Sequence, residues 1–168
     1  QVVRAFEDDN VTHVDGNVDA IRDIETINLE LIFADLEVVE KRIPKIEKKA
    51  QLRVDQEAVE EYKVLKEIHD CLMDNQPIRT LKFNANELLM IKNFNFLTLK
   101  PMLYVANISE DEIADYSDNK YVKQIIEFAA NEQSQVVVIS AKIEAELSEL
   151  DDEEKAMFLE DLGVAESG

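Results

Sequence analysis

The sequence predicts an α/β fold, a parallel sheet with an inserted antiparallel pair of helices forming an arm. Three short apolar runs, residues 2–6, 102–106 (MLYVA) and 136–139 (VVVI), read as buried strands. Runs of this kind alternating with helical segments suit central strands of a parallel sheet covered on both faces. Between the first two runs the pattern changes to a heptad seam, the signature of paired helices. A chain of 168 residues has room for one such unit carrying an insertion.

Taken in order, the first run starts directly behind Gln1, so the chain reads as beginning inside an element, like a piece of something longer. The seam follows, with Leu29, Ile32, Leu36, Val39, Ile43, Ile46 and Ala50 spaced alternately by three and four. Pro44 falls inside it. A proline there removes one backbone donor and crowds the preceding turn at a cost of about 3 kcal/mol, which predicts a kink or break. A second run, Ala58, Tyr62, Leu65, Ile68 and Leu72, folds back after a polar turn at residues 51–56. This assigns residues 21–79 to a helical coiled-coil domain, and residues 1–20 with 80–168 to the sheet domain. Asn84 and Glu87 form a capping pair for a short helix. Tyr121, Val122, Ile125, Ile126 and Ala129 recur at helical spacing between the second and third strands, which predicts a right-handed parallel crossover. In residues 144–161 nine acids face only Lys155, and Asp151 with Glu154 caps a solvated helix through Ala156, Met157, Phe158 and Leu162.

Composition narrows the function classes. The net charge of −19 sets the chain as a whole against nucleic acid and anionic membranes unless the sign reverses locally. With only three glycines, Gly16, Gly163 and Gly168, no Gly-rich loop that wraps a phosphate fits within this sequence. A lone Cys71 excludes an internal disulfide framework and a multi-cysteine metal site, and it fits a reducing, cytoplasmic compartment. His13 and His69 are far apart, so no metal site is predicted. No nucleophile elbow is present and no catalytic residue is assigned. The apolar runs fall far short of the roughly 20 residues of a membrane helix, so no membrane association is expected.

The sign does reverse in one place. Within residues 41–53, six basic side chains (Lys41, Arg42, Lys45, Lys48, Lys49 and Arg53) face one acid, Glu47, a local balance of +5. The other 155 residues carry 12 basic and 36 acidic groups, or −24. A positive tip on a negative body is a phosphate-backbone footprint whose binding weakens with salt. A solvated helix face is the competing explanation. No aromatic residue interleaves the cluster, which argues against base stacking.

The most informative pair lies where two strands end, the place at which open parallel sheets bind ligands. The second strand runs into Asn107-Ile-Ser-Glu110, and the third, about 33 residues on, into Ser140-Ala-Lys142. In this order the two resemble the base-recognition elements of the P-loop GTPase superfamily, Asn-Lys-x-Asp and Ser-Ala-Lys. Here Ile108 stands where the superfamily has the Lys whose stem lies over the base, and Glu110 stands for the guanine-reading Asp. Asn-x-x-Glu, with RAFEDDNVTHVDGNVDAIRDIETINLEL, FNFLTLKPMLYVAN and ELDDEEKAMFLEDLGV, resembles the YchF or Obg-like ATPase family over nearly the whole chain.

That resemblance implies the C-terminal part of a P-loop NTPase sheet with a coiled-coil insertion. It further implies hydrolysis of ATP, and of GTP less well, with Mg²⁺, and association with ribosomes. The Walker A and switch segments of the family would precede Gln1 and its TGS domain would follow Gly168, so this chain alone is expected to be inactive. The base site is expected at Asn107, Ile108, Glu110, Ser140 and Ala141, with Asn107 on the base edge, Ile108 on its face and Ser140 and Ala141 closing the pocket. The basic arm is expected to meet the ribosome or RNA. The alternative is a non-catalytic module whose coiled coil binds RNA or protein and whose sheet is scaffold.

Overall fold

Parallel pairing organises the sheet of the computed structural model, which describes residues 1–7, 18–53 and 55–163. His13, Gly16 and Gly168 lie outside the described residues. Strands β1 (Val2–Arg4), β2 (Leu103–Asn107) and β3 (Gln135–Ile139) lie in the order β1-β2-β3, all parallel. Val3 sits opposite Ala106, Tyr104 opposite Val136 and Ala106 opposite Val138, so these side chains share one face. Helix α4 (Lys120–Asn131) covers that face with Val122, Ile125 and Ala129, and Ala20 and Ile24 join the same core.

Tyr104 is fully buried, its ring edge-on to Phe128 with centroids 5.9 Å apart and its hydroxyl donating to Glu132 at 2.8 Å. Burying a side chain such as Ile125 contributes roughly 2 kcal/mol. The cap of α4 ties the strand to the helix: the Asn119 carbonyl accepts from the N–H groups of Tyr121 and Val122, and its amide donates to the Ala5 carbonyl at 2.8 Å. Cover on both faces was expected. Among the described residues the second face is only partly covered, with Val2, Leu103 and Val137 exposed along it and Val105 and Ile139 half-buried.

The chain divides into two compact units, Gln1–Ile24 with Met102–Gly168, and Glu25–Pro101. In the sheet unit, α5 (Ala141–Ser148) follows β3, and α6 (Asp152–Leu162) starts on an Asp151–Glu154 capping box and stops at Gly163, whose φ of 70° suits glycine. The expected capping pairs at Asn84 and Asp151 are both present.

The helical unit is built on α1 (Ala20–Gln51) and α2 (Gln56–Met73). Glu40 approaches His69 at 4.0 Å and Tyr62 donates to Glu47 at 3.3 Å, so the two helices run antiparallel. Ile32, Val39 and Ile46 of α1 pack with Val64, Leu65, Ile68 and Leu72 of α2. Residues 80–101, which the sequence pattern placed with the sheet, pack here instead: α3 (Ala85–Ile91) supplies Ile91, and Phe96 fills the same core. The reason is their apolar content, which has its complement in the helical pair.

Pro44 does not break α1, which runs through it to Gln51. The proline is exposed, as is Glu40, whose carbonyl loses its helical donor and can be hydrated. Burial on either side, at Val39 and Ile46, holds the helix together across the gap. Arg42 adds a two-pronged ion pair to Glu61, with Nε donating to Oε1 at 2.6 Å and a terminal nitrogen to Oε2 at 2.7 Å.

Asp35, like Glu61, is a buried charge among the described residues of this unit. Its carboxylate accepts from the Leu97 N–H at 2.8 Å, the Thr98 N–H at 2.7 Å and the Thr98 hydroxyl at 2.7 Å. The Thr98 hydroxyl oxygen in turn accepts from the Ile78 N–H at 3.1 Å. Hydrogen bonds to a buried charge contribute about 1.5–3 kcal/mol each, and orphaning their donors is costly. Asp35→Ala is expected to cost the helical unit about 3 kcal/mol, read as roughly hundredfold faster amide hydrogen exchange at Leu97 and Thr98 in the full-length protein. Asp35→Asn, which keeps one acceptor, is expected to cost less.

Candidate functional site

The site forms because β2 and β3 end level. Their register pairs Asn107 with Ile139, so the residues that follow each strand emerge side by side at the carboxyl edge of the sheet. The Ile108 N–H donates to the Ile139 carbonyl at 2.9 Å and extends the ladder by one step. Asn107 then bridges the two segments, its Oδ1 accepting from the Ala141 N–H at 2.8 Å. Because a backbone N–H is the donor, the side-chain oxygen must face Ala141, which leaves the Asn107 amide nitrogen pointing away as a donor.

Ser140 caps α5 with extended backbone geometry, yet its side chain makes no cap bond. The residue is 1% exposed and its hydroxyl oxygen is a buried polar atom without a partner among the described residues. Glu110 opens a short turn (Glu110–Glu112), and its Oε2 meets the Lys142 ammonium at 2.5 Å. The Glu110 contact holds the Lys142 pKa above its ordinary value. Lys142 belongs to the Ser-Ala-Lys motif but has no role in the sequence reading; a base-site acid and a lysine at matched strand ends were the available signal.

Asn107, Glu110, Ser140 and Ala141 are therefore brought together. Ile108 is not. It is 2% exposed and belongs to the sheet core, because the inward alternation of Tyr104 and Ala106 continues to it. It offers no face on which a base could lie.

The six basic residues of the arm also separate into classes. Arg42 is committed to Glu61, which raises its pKa, and Lys41 is paired with Glu37, whose carboxyl it holds below the ordinary value. Among the described residues Lys45, Lys48, Lys49 and Arg53 have no carboxylate partner. Lys41, Lys45, Lys48 and Lys49 recur at helical spacing on one face of α1, and Lys48 and Lys49 sit in its last turn, where the helix dipole favours cations. Arg53 has a left-handed φ of 51° in the turn after α1. No group of three or more His, Cys, Asp or Glu among the described residues is placed to hold a metal ion, and no helix among them is long and apolar enough to cross a membrane.

A ribosome-binding ATPase YchF of Bacillus subtilis strain 168 is 53% identical over 167 residues, which take in 99% of this chain and 45% of that protein. Over this span the chain is homologous to YchF. A ribosome-binding ATPase YchF of Haemophilus influenzae is 45% identical over the same share of each. The solved structure of the Schizosaccharomyces pombe YchF GTPase superposes with a TM-score of 0.83 at 30% identity, covering 98% of this chain and 45% of that one. The α/β fold, as part of a P-loop NTPase-type region, is thereby shown. The chain spans about 45% of the length of the relatives it matches. No protein-family model matches it.

The bridge from Asn107 to Ala141 is the local test of this geometry. Asn107→Ala is expected to speed amide exchange at Ala141 about tenfold without nucleotide, the loss of one hydrogen bond of about 1 to 1.5 kcal/mol, as measured by NMR.

Proposed function

We propose that this chain supplies base recognition and a cationic helical arm to a cytoplasmic, ribosome-binding protein that hydrolyses ATP and, less well, GTP. The observation that supports the reading best is the Asn107–Ala141 bridge beside Glu110. Asn107 presents an amide donor suited to a purine ring nitrogen. The Ala141 N–H, which could have met the carbonyl oxygen of guanine, is already engaged. Adenine carries an amino group at that position and needs an acceptor there, which Glu110 provides. A site that leaves a substrate's polar groups unmatched rejects it strongly.

The hydrolytic step depends on phosphate-positioning groups and Mg²⁺. The described residues offer no metal cluster, so no step through Mg²⁺ is assigned to this chain. In this proposal those groups belong to the portion of the relatives that the chain does not span, and the chain by itself does not turn over nucleotide.

In the full-length protein, Asn107→Ala is expected to weaken ATP binding at least tenfold, and Glu110→Asp to move the ATP-to-GTP affinity ratio toward GTP. Titration calorimetry with both nucleotides reads each; an unchanged ratio in the Asp variant would sink the adenine reading.

A second reading is favoured by one observation, the unpaired lysine face, which needs no nucleotide to act. It treats the chain as a non-catalytic module whose coiled coil binds RNA or protein. Under the leading proposal this face meets ribosomal RNA, and neutralising Lys45, Lys48 and Lys49 together is expected to weaken ribosome co-sedimentation. It should also flatten the salt dependence, since each lysine–phosphate pair removed takes about one unit from the slope. Ribosome binding that persists unaltered would assign the lysines to solubility and helix capping.

A further inference from the structure

We propose that Lys142 determines which purine the site accepts, by setting the turn of the Glu110 carboxylate; this rests on the base-site reading above. A carboxylate has two oxygens, and two adjacent donors, such as the ring N–H and amino group of guanine, require both. Adenine presents a single amino group on the same edge, next to a ring nitrogen that is itself an acceptor. In this structure Glu110 Oε2 lies 2.5 Å from the Lys142 ammonium, a contact that sets the turn of the carboxylate and commits one lone pair of Oε2 to Lys142. A carboxylate held in that turn by Lys142 meets a single amino donor, as in adenine, better than the two side-by-side donors of guanine, which need both oxygens edge-on.

Placement makes the pairing reproducible. Glu110 starts the turn after β2 and Lys142 is the second residue of α5, so both are carried by the two segments that the Asn107–Ala141 bond clamps together. The bond that builds the site therefore also sets the distance across which Lys142 reaches. Lys142 touches no base in this scheme. It acts through Glu110 as a positioning residue.

The experiment uses the full-length protein and ribose-labelled N-methylanthraniloyl ATP and GTP, whose bases are unmodified, in fluorescence titrations. Lys142→Met keeps the stem and removes the charge; it is expected to raise affinity for GTP relative to ATP by about tenfold, the scale of one bidentate contact. Lys142→Arg keeps the pair and is expected to keep the parental ratio. Adding Glu110→Gln to Lys142→Met is expected to abolish the gain. Lys142 is largely exposed, so folding is not expected to suffer, and Lys142→Gln serves as a second charge-removing variant. An unchanged ratio in both Met and Gln variants overturns the proposal. If at the same time Asn107→Ala weakens both nucleotides, only the role of Lys142 falls; if Asn107→Ala leaves both unaffected, the base-site reading falls and this inference with it.

Discussion

The parallel register of β2 and β3 is the constraint on which the candidate site depends. Level strand ends put Asn107 and Ala141 within one hydrogen bond, and that bond joins two segments that are otherwise independent exits from the sheet. A slip by one residue would turn Asn107 inward and Ile108 outward, since side chains alternate along a strand. The burial of Tyr104, Ala106 and Ile108 on one face is what forbids the slip. Core packing and ligand chemistry are thus read from the same strand, one from its even positions and the other from its odd end.

The helical unit solves a different problem. Its helices are amphipathic only along a seam, and the connection back from α2, which contains only the short α3 and single turns, must be held by side chains. Asp35 does this by gathering the backbone of Leu97 and Thr98, and through the Thr98 hydroxyl the N–H of Ile78. A buried carboxylate is stable there because donors surround it, which is also why it cannot be replaced by an apolar group of like size without stranding them. Arg42 and Glu61 play the corresponding part between α1 and α2.

Much of this was legible in the sequence where a rule is local. The strand runs, the three-four spacing of the seam, and the caps at Asn84 and Asp151 depend on neighbours a few residues away, and the structure has them. The motif residues Asn107, Glu110, Ser140 and Ala141 were singled out by their resemblance to the base-recognition elements of a superfamily, and the level strand ends bring them side by side. What was illegible depended on partners distant in sequence. Nothing near Asp35 distinguishes it from a solvated acid, because its donors lie 62 and 63 residues away. Arg42 resembles its basic neighbours until Glu61 is placed beside it. The motif position of Ile108 suggests a ligand contact, whereas strand alternation, carried one residue past β2, points it into the core.

Pro44 shows how the two sides of α1 fit together. Helical spacing places it three residues after Lys41 and four before Lys48, on the lysine face and away from the seam. A proline there leaves the Glu40 carbonyl without its helical donor, a loss that water can make good on an exposed face but not in a core. The lysines mark the same surface as one that stays wet. The seam can therefore tolerate a proline in the middle of α1, because the missing hydrogen bond falls where solvent replaces it while Val39 and Ile46 keep their burial on the opposite side. The charge reversal and the tolerated proline are consequences of one fact, that this stretch of α1 turns a single face to its partner helix and leaves the other to solvent.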